Sequence, residues 1–499
     1  MALTLAYDSK TNYDDVFAQV RMWDALIYNH LREKNCVLPP TKKNDKSSAY
    51  IGAYVKDPIV GLHKWVASFD LDSLYPHLIM QYNVSPDTIV EPEKYTFDQS
   101  KIIDQNINVD NMLTKKIDTS ALKLCDCTIT PNGQLFTTKY QGFLPKIMEE
   151  MYNDRSRYKK EAIKAKKQLE TETDSNVREE IEKTIARYNN LQLAKKVSLN
   201  SAYGALGNEF FRFFDIRQAS AITTAGQLSI RWIENKLNEY LNRILKTEKK
   251  DYVIASDTDS IYLVLDELVS QTIGKENKNH NTKQVIQFLD KVCESKIQPF
   301  IDKSYAELAD YVHAYQQKME MKREGLSDAG IWTAKKRYIL NVHNNEGVQF
   351  KEPKLKVMGL EMIKSSTPSA IRERMASTIK LMVTGTESDV QDFIANFKAE
   401  FKTLPPEEIS FPRGCNGLNN YSDAATLYKK GTPIHVKGAI LYNHYLKQHN
   451  LVCPSPVHRD FHYMSRGHAL QSSRRVAALS YSHDYPQHYI SCLWWIPTA

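Results

Sequence analysis

The sequence has 499 residues, with 66 Lys and Arg against 59 Asp and Glu, a net charge of +7. At ~150 residues per domain the length suggests about three domains, and 42% hydrophobic with 25% charged residues is the balance of a folded chain. No run of ~18 apolar residues occurs, Asp8, Asp14 and Asp15 occupy the start without an apolar core, and seven scattered cysteines make no disulfide framework; no membrane span, secretory signal or disulfide scaffold is expected.

In chain order, a helical stretch from Val16 to Leu31 precedes a polar loop at Pro39 to Ser48. A strand-like run, Trp65 to Phe69, ends at Asp70. Residues 98–118 are polar and aperiodic and read as a surface insertion. From Leu144 to about Lys167, Ile147, Met151, Tyr158 and Ile163 recur at roughly whole turns. After a break at Thr171 to Asn176, Asn176 with Glu179 resembles a capping box, and Ile181, Ile185 and Tyr188 repeat at helical spacing. Residues 146–204 therefore predict a long antiparallel helical hairpin. Ile233 to Ile244 marks an amphipathic helix. The runs Tyr252–Ala255 and Ile261–Leu265 flank an acidic turn and predict a β-hairpin. Residues 275–283 read as a solvated loop, and Lys335 to Val342 as a strand. No Lys follows Lys447, no Glu follows Glu408, and five of the 14 histidines lie between His458 and His488, so the last fifty residues differ sharply in composition.

Two acidic sites stand at strand ends: Asp70, and Asp257-Thr258-Asp259 in the hairpin turn. A carboxylate beside an apolar strand is costly unless paired, and Mg²⁺ bound by carboxylates leaves positions open for phosphate. Alone, the tripeptide is more often plain turn chemistry than a metal site. On the predicted hairpin, Arg155 and Lys159 share one helix face, as do Lys196, Asn200 and Tyr203, with Gly204 next. Such a face suits a polyphosphate, although charged helix faces commonly serve only solvation. Cys125-Asp-Cys127 lacks a second pair and is not a zinc motif.

The order of these elements carries more than each alone. Ser-Phe-Asp-Leu-Asp-Ser-Leu-Tyr-Pro (68–76) resembles the DxxSLYP motif A of the family B DNA polymerases. Lys196 to Gly204 resembles their KxxxNSxYG motif B, Ser256 to Tyr262 their DTDS motif C, and Lys335-Lys336-Arg337-Tyr338 their KKRY element. Tyr203 to Asn208, Met358 to Glu361 and Lys364 to Pro368 are similar to the replicative members from T-even-type bacteriophages. The resemblance runs from about Leu3 to about Lys447.

It implies an α+β right-hand fold: a pre-palm segment (1–60), palm (61–145 and 205–366) with an antiparallel sheet, helical-hairpin fingers (146–204), a partial thumb (367–450) and a divergent, poorly ordered tail (451–499). The implied activity is template-directed transfer of a nucleotide from a dNTP to a primer 3′-OH with two Mg²⁺, or Mn²⁺ in their place. Asp70, Asp257 and Asp259 would be catalytic, and with the Leu71 carbonyl would hold the metals. Ser73, Leu74 and Tyr75 would cradle triphosphate and sugar, Tyr75 leaving no room for a 2′-hydroxyl. Arg155, Lys159, Lys196 and Asn200 would bind phosphates, and Tyr203 and Gly204 would line the nascent base pair. Lys336, Arg337 and Lys364 would meet primer–template DNA.

The chain departs from the family in having Ala255-Ser256 where Tyr-Gly is usual, Asp72 in a variable slot where it is expected to perturb metal affinity slightly, and Lys322 where phage relatives carry an acid. Its fingers hairpin reads as shorter than theirs. No exonuclease acid set is present, which leaves two readings: a split polymerase with a separate N-terminal or exonuclease polypeptide as partner, the one favoured, or a degraded or truncated copy. The missing acidic, Phe-rich terminal peptide speaks against a sliding-clamp contact. The cytoplasm of an infected bacterium is the expected location. A DNA-binding remnant with impaired catalysis is the alternative; a reverse transcriptase would lack this motif B.

Overall fold

The computed structural model describes residues 2–42, 44, 49–273, 281–364, 366–404, 409, 411–412, 417–448, 468–472 and 475–479. The chain divides into two compact units, one of Met1–Lys335 with Val342–Lys354, the other of Lys336–Asn341 with Leu355–Ala499. It mixes helices with antiparallel sheet, an α+β arrangement.

The first unit is built on the antiparallel ladder of β1 (Gly61–Leu71). One edge of β1 pairs with β5 (Ser260–Val264), which pairs in turn with β4 (Val253–Asp257). The other edge pairs with β6 (Met321–Ala334). The sheet order is β4-β5-β1-β6-β7-β8, where β7 is Arg337–Asn345 and β8 is Val348–Met358, while β2 (Cys127–Ile129) and β3 (Leu135–Thr137) pair antiparallel in a sheet of their own. Phe69, Leu71 and Leu263 are buried in one continuous core with residues of the long helix Ile216–Leu245, among them Ile222, Ile233 and Leu237. Fully burying each such side chain contributes roughly 1.5–3 kcal/mol. The predicted hairpin forms from Phe143–Thr171 and Ser175–Leu206. Its tip is tied by Arg178, which donates to the Leu169 and Glu172 carbonyls, and Tyr158 stacks on Tyr188.

Several expectations are amended. The second hairpin helix is capped two residues earlier than the Asn176 signal, because Asp174 accepts from the Asn176 and Val177 amides and is the cap. Residues 98–118 are not simply a surface insertion: Phe97–Ile103, with a Thr96–Gln99 capping box, and Val109–Leu113 are helices, and Ile102, Met112 and Ile117 are buried. The strand expected at Lys335 begins at Arg337, since Lys336 occupies the left-handed region (φ 60°) of the turn after β6. The 14-residue β6 has no clear signal in the sequence pattern.

In the second unit Ser369–Thr384 and Glu387–Phe401 are helices, and Leu418, Val436, Ala439 and Ile440 form a small core. Of the polar loop expected at Pro39 to Ser48, residues 43 and 45–48 lie outside the described residues. Of the loop expected at 275–283, residues 275–280 lie outside them too, and a helix starts at Thr282. The expected tail, 451–499, also lies outside them except for His468–Ser472 and Arg475–Leu479, which pair antiparallel. Among the described residues no helix is long and apolar enough to cross a membrane.

Candidate functional site

The ends of three strands bring the predicted acids together. Ser260 on β5 lies opposite Asp70 on β1 and, at its other edge, opposite Asp257 on β4. Residues directly opposite in antiparallel strands project to the same face, so Asp70 and Asp257 flank Ser260 there. The Leu71 amide donates to the Asp259 carbonyl at 2.8 Å, fixing the hairpin turn against the end of β1. Thr258 in that turn has φ 61°, a conformation a β-branched residue adopts only under strain. The strain is held by the extended segment before β1. Val55 bridges Asp257, the Thr258 amide donates to the Tyr54 carbonyl at 3.0 Å, and the Lys56 amide donates to the Ser256 carbonyl at 3.1 Å. The Lys56 ammonium, 13% exposed, reaches Glu234 at 2.5 Å, Asp251 at 2.7 Å and the Val253 carbonyl at 2.7 Å. Burial would lower its pKa, but these carboxylates outweigh burial and raise it. Ala255 and Ser256, the departures in motif C, are both buried in β4.

Beyond β1 the chain turns through Asp72 and Ser73, the latter in the left-handed region (φ 47°), into the helix Leu74–Gln81. That helix starts with Leu74 and Tyr75. The Tyr75 ring lies 4.7 Å from that of Tyr203. Burial, then the nearby Asp259 carboxylate, raises the Tyr75 hydroxyl pKa. Tyr203 donates to the Tyr50 hydroxyl at 3.0 Å. Gly204 is close-packed: a Cβ there would meet the Gln19 amide, which itself donates to the Ser201 carbonyl.

A cavity of about 750 Å³ opens between strand ends and hairpin, a volume within the range of small-molecule sites. Asp70, Leu71, Asp72, Ser73, Leu74, Tyr75 and Asp259 line one side, and Arg155, Lys159, Lys196 and Asn200 the other. Lys322, Arg323, Glu324 and Glu346 close a third. Lys159, Lys196 and Asn200 are exposed, and their side chains make no hydrogen bond or ion pair among the described residues. Lys195, by contrast, is engaged by Asp8 and Asp154, each at 3.3 Å. Arg155 is also held: its Nη1 donates to Ser73 Oγ at 2.8 Å and lies 3.5 Å from Asp72 Oδ1.

The structure thus gathers Asp70, Leu71, Ser73, Leu74, Tyr75, Arg155, Lys159, Lys196, Asn200 and Asp259 around one cavity. Asp257, Tyr203 and Gly204 adjoin these residues without lining it. Lys336, Arg337 and Lys364 belong to the second unit, where Glu361 accepts from Arg337 at 2.6 Å and Lys364 at 3.4 Å. Gly359 (φ 67°) packs there against the Lys336 carbonyl so closely that a Cβ would collide with it.

Three residues have roles that the sequence does not announce. Tyr50 lies in an aperiodic stretch that gives no signal. Tyr152 stands three residues before Arg155, on the same helix face, and could have been found by that spacing. Asp72 accepts from Tyr152 at 2.7 Å and from Ser73 at 3.1 Å, partners that its slot in motif A does not signal. Burial raises its pKa, but the Tyr152 bond and the Arg155 charge outweigh burial and hold the carboxyl below its ordinary value.

Among the described residues no group of three or more His, Cys, Asp and Glu side chains is arranged to hold a metal. Asp70 and Asp259 nonetheless present two carboxylates to the cavity, a donor set that fits Mg²⁺ bound jointly with substrate phosphates rather than in a protein cage.

The sequence model of DNA polymerase family B matches residues 17–290, and that of the divergent family B DNA polymerases matches 242–394. The chain is similar to the DNA-directed DNA polymerase of Escherichia phage RB69, 33% identical over 92% of this chain and 54% of the relative. It is similar also to that of Enterobacteria phage T4, 32% identical over 89% and 52%. The DNA polymerase delta catalytic subunit of Arabidopsis thaliana is 29% identical over 50% of this chain and 20% of the relative. The chain spans about half the length of the two phage relatives.

Proposed function

The chain belongs to DNA polymerase family B, and from that premise we propose that it is a DNA-directed DNA polymerase core that adds a nucleotide from a dNTP to a primer 3′-OH, with primer–template DNA and dNTPs as substrates. One observation carries the reading: Asp70 and Asp259, far apart in sequence, meet at one side of a cavity whose other side presents Arg155, Lys159, Lys196 and Asn200. Acids facing cations across a gap are what phosphoryl transfer asks of a protein, since the reaction needs positioning and charge neutralisation more than covalent chemistry.

Lys159 and Lys196 act as point charges on the triphosphate, Arg155 as a fork, and Asn200 as a neutral hydrogen-bonding partner. The ladder of β1 and β5 keeps Asp70 and Asp259 at fixed separation while substrates change. Asp70 and Asp259 would hold divalent ions, with the Leu71 carbonyl and Asp257 as further donors. Bound there, Mg²⁺ would lower the pKa of the attacking hydroxyl and neutralise charge on the phosphates. Tyr75, packed on Tyr203, forms the wall under the sugar and admits deoxyribose in preference to ribose. Tyr203, held by Tyr50, and Gly204 border the nascent base pair. Lys336, Arg337 and Lys364 contact the DNA backbone. The first unit then supplies most of the palm and the fingers of a right hand, and residues 367–450 of the second unit part of the thumb.

Primer extension with Mg²⁺ and dNTPs tests the reading, with Asp259→Ala as control. Template-dependent extension lost in the control is expected. Duplex binding without extension by the wild-type chain would overturn the enzyme reading in favour of a DNA-binding remnant.

A further inference from the structure

Of Arg155, Lys159 and Lys196, the cations on the phosphate side of the cavity, Arg155 is already committed to protein partners. Its Nη1 donates to Ser73 Oγ at 2.8 Å and stands 3.5 Å from Asp72 Oδ1, while Ser73 Oγ donates to the same Asp72 oxygen at 3.1 Å. The other Asp72 oxygen accepts from Tyr152, one helical turn before Arg155 on the same helix, at 2.7 Å. The His77 ring packs edge-on against Tyr152 at 4.5 Å, and His77 Nδ1 bonds the Ser73 carbonyl at 3.1 Å. The Arg155 side chain is 14% exposed, and its buried Nε has no hydrogen-bond partner among the described residues. The guanidinium is therefore drawn down onto the turn after β1, at the sacrifice of one donor, whereas Lys159 and Lys196 stay open to the cavity.

We propose that Asp72 is a positioning residue that holds Arg155 in the nucleotide-free site and competes with the incoming triphosphate for it. Asp72 is an internal anion standing where Arg155 would otherwise meet a phosphate. Binding of nucleotide exchanges an Asp72–Arg155 contact for a phosphate–Arg155 contact, so the net gain from Arg155 is the difference between the two. The effect falls on nucleotide affinity rather than on the chemical step, because Asp72 acts through Arg155, a side chain assigned to binding the phosphates. This inference rests on the reading of the cavity as a triphosphate site.

The test is a double-mutant cycle read by binding of inorganic tripolyphosphate and of a dNTP to the chain, alongside KM and kcat in primer extension. Asp72→Asn retains the size of the side chain and an acceptor for Tyr152. It should tighten tripolyphosphate and dNTP binding by about two- to fivefold, the range for a partly exposed ion pair, lowering KM and leaving kcat within about twofold. In an Arg155→Ala background the same substitution should change binding little. Asp72→Ala, with its thermal midpoint recorded, repeats the comparison should Asp72→Asn be misfolded. Unchanged or weaker binding in Asp72→Asn overturns the inference. So does a gain that persists without Arg155, which would mean that Asp72 acts on the phosphates through its charge alone. Failure of the wild-type chain to bind either ligand overturns the triphosphate reading and this inference with it; wild-type binding unaffected by Asp72→Asn overturns this inference only.

Discussion

The acids and the cations that face each other across the cavity are held by different means. Asp70, Asp257 and Asp259 are placed by main chain: the β1–β5–β4 ladder fixes their register, and the segment around Val55 and Lys56 braces the turn. Lys159 and Lys196 sit on two long helices, exposed, with side chains that nothing in the described residues ties down. Main-chain placement suits groups whose separation must not change during a reaction. Side chains on a helical hairpin suit groups that must gather around a substrate and release it. Arg155 is the exception, a hairpin cation tethered to the acidic side.

The strongest way to break this contrast is to remove a carboxylate. Asp70→Asn or Asp259→Asn should lower single-nucleotide incorporation by about a thousandfold or more, since several kcal/mol of charge stabilisation are lost, while duplex binding is retained. Incorporation at the wild-type rate in either variant would show that the chemistry lies elsewhere. Next is the support beneath. Lys56→Met leaves Glu234 and Asp251 without their buried cation, a change expected to cost about 3–5 kcal/mol in urea unfolding. A loss under ~1 kcal/mol, the level of a surface pair, would mean that the main-chain ladder alone braces the turn. On the other side, Lys196→Ala should raise the dNTP KM by about tenfold or more, the value of a charge-assisted hydrogen bond. Arg155→Ala should raise it less, because Arg155 already has a partner. A larger effect for Arg155 would invert the contrast. Tyr75→Ala should relax discrimination against ribonucleotides by about tenfold, the scale of a small steric difference in a pocket; competition between ATP and dATP measures it.

Much of the acidic side is legible in the amino-acid sequence because strands bounded by Asp leave a local signature. Asp70 ends an apolar run, and Asp257-Thr258-Asp259 interrupts another. The cationic side is legible through helical spacing, which pairs Arg155 with Lys159 and Lys196 with Asn200 on shared faces. What spacing does not encode is the closure of one helix on another, or the partner of a side chain. Nothing in the sequence says that Lys195 turns to Asp8 and Asp154 while its neighbour Lys196 faces the cavity. β6 is hidden because its burial is irregular: Lys322 and Arg323 interrupt the pattern near the site, and the alternation expected of a half-buried strand is lost. Tyr50 and Lys56 act through long-range contacts from a segment with no periodicity of its own.

The smallest expected effect concerns Asp72, where the two sides touch. Its folded pKa lies below the ordinary value of 3.8: burial opposes this, but the Tyr152 bond and the Arg155 charge prevail. A carboxylate with a depressed folded pKa contributes stability that is fully present above its unfolded pKa and lost as pH falls through the folded value. Asp72→Asn should therefore be less stable than wild type at pH 7, by on the order of 1 kcal/mol or less given that the carboxylate is partly solvent-screened. The gap should close as the pH is lowered below 3.8 and the wild-type carboxyl gains its proton. His77 also faces this group, and burial keeps its pKa low despite the Ser73 carbonyl and Asp72; it is present in both proteins, so its protonation largely cancels in the difference. Urea midpoints of the two proteins from pH 7 downward measure the gap. A gap that is constant with pH, or that widens in acid, would show that Asp72 contributes through packing and not through its charge, and the tether between the two sides would lose its electrostatic basis.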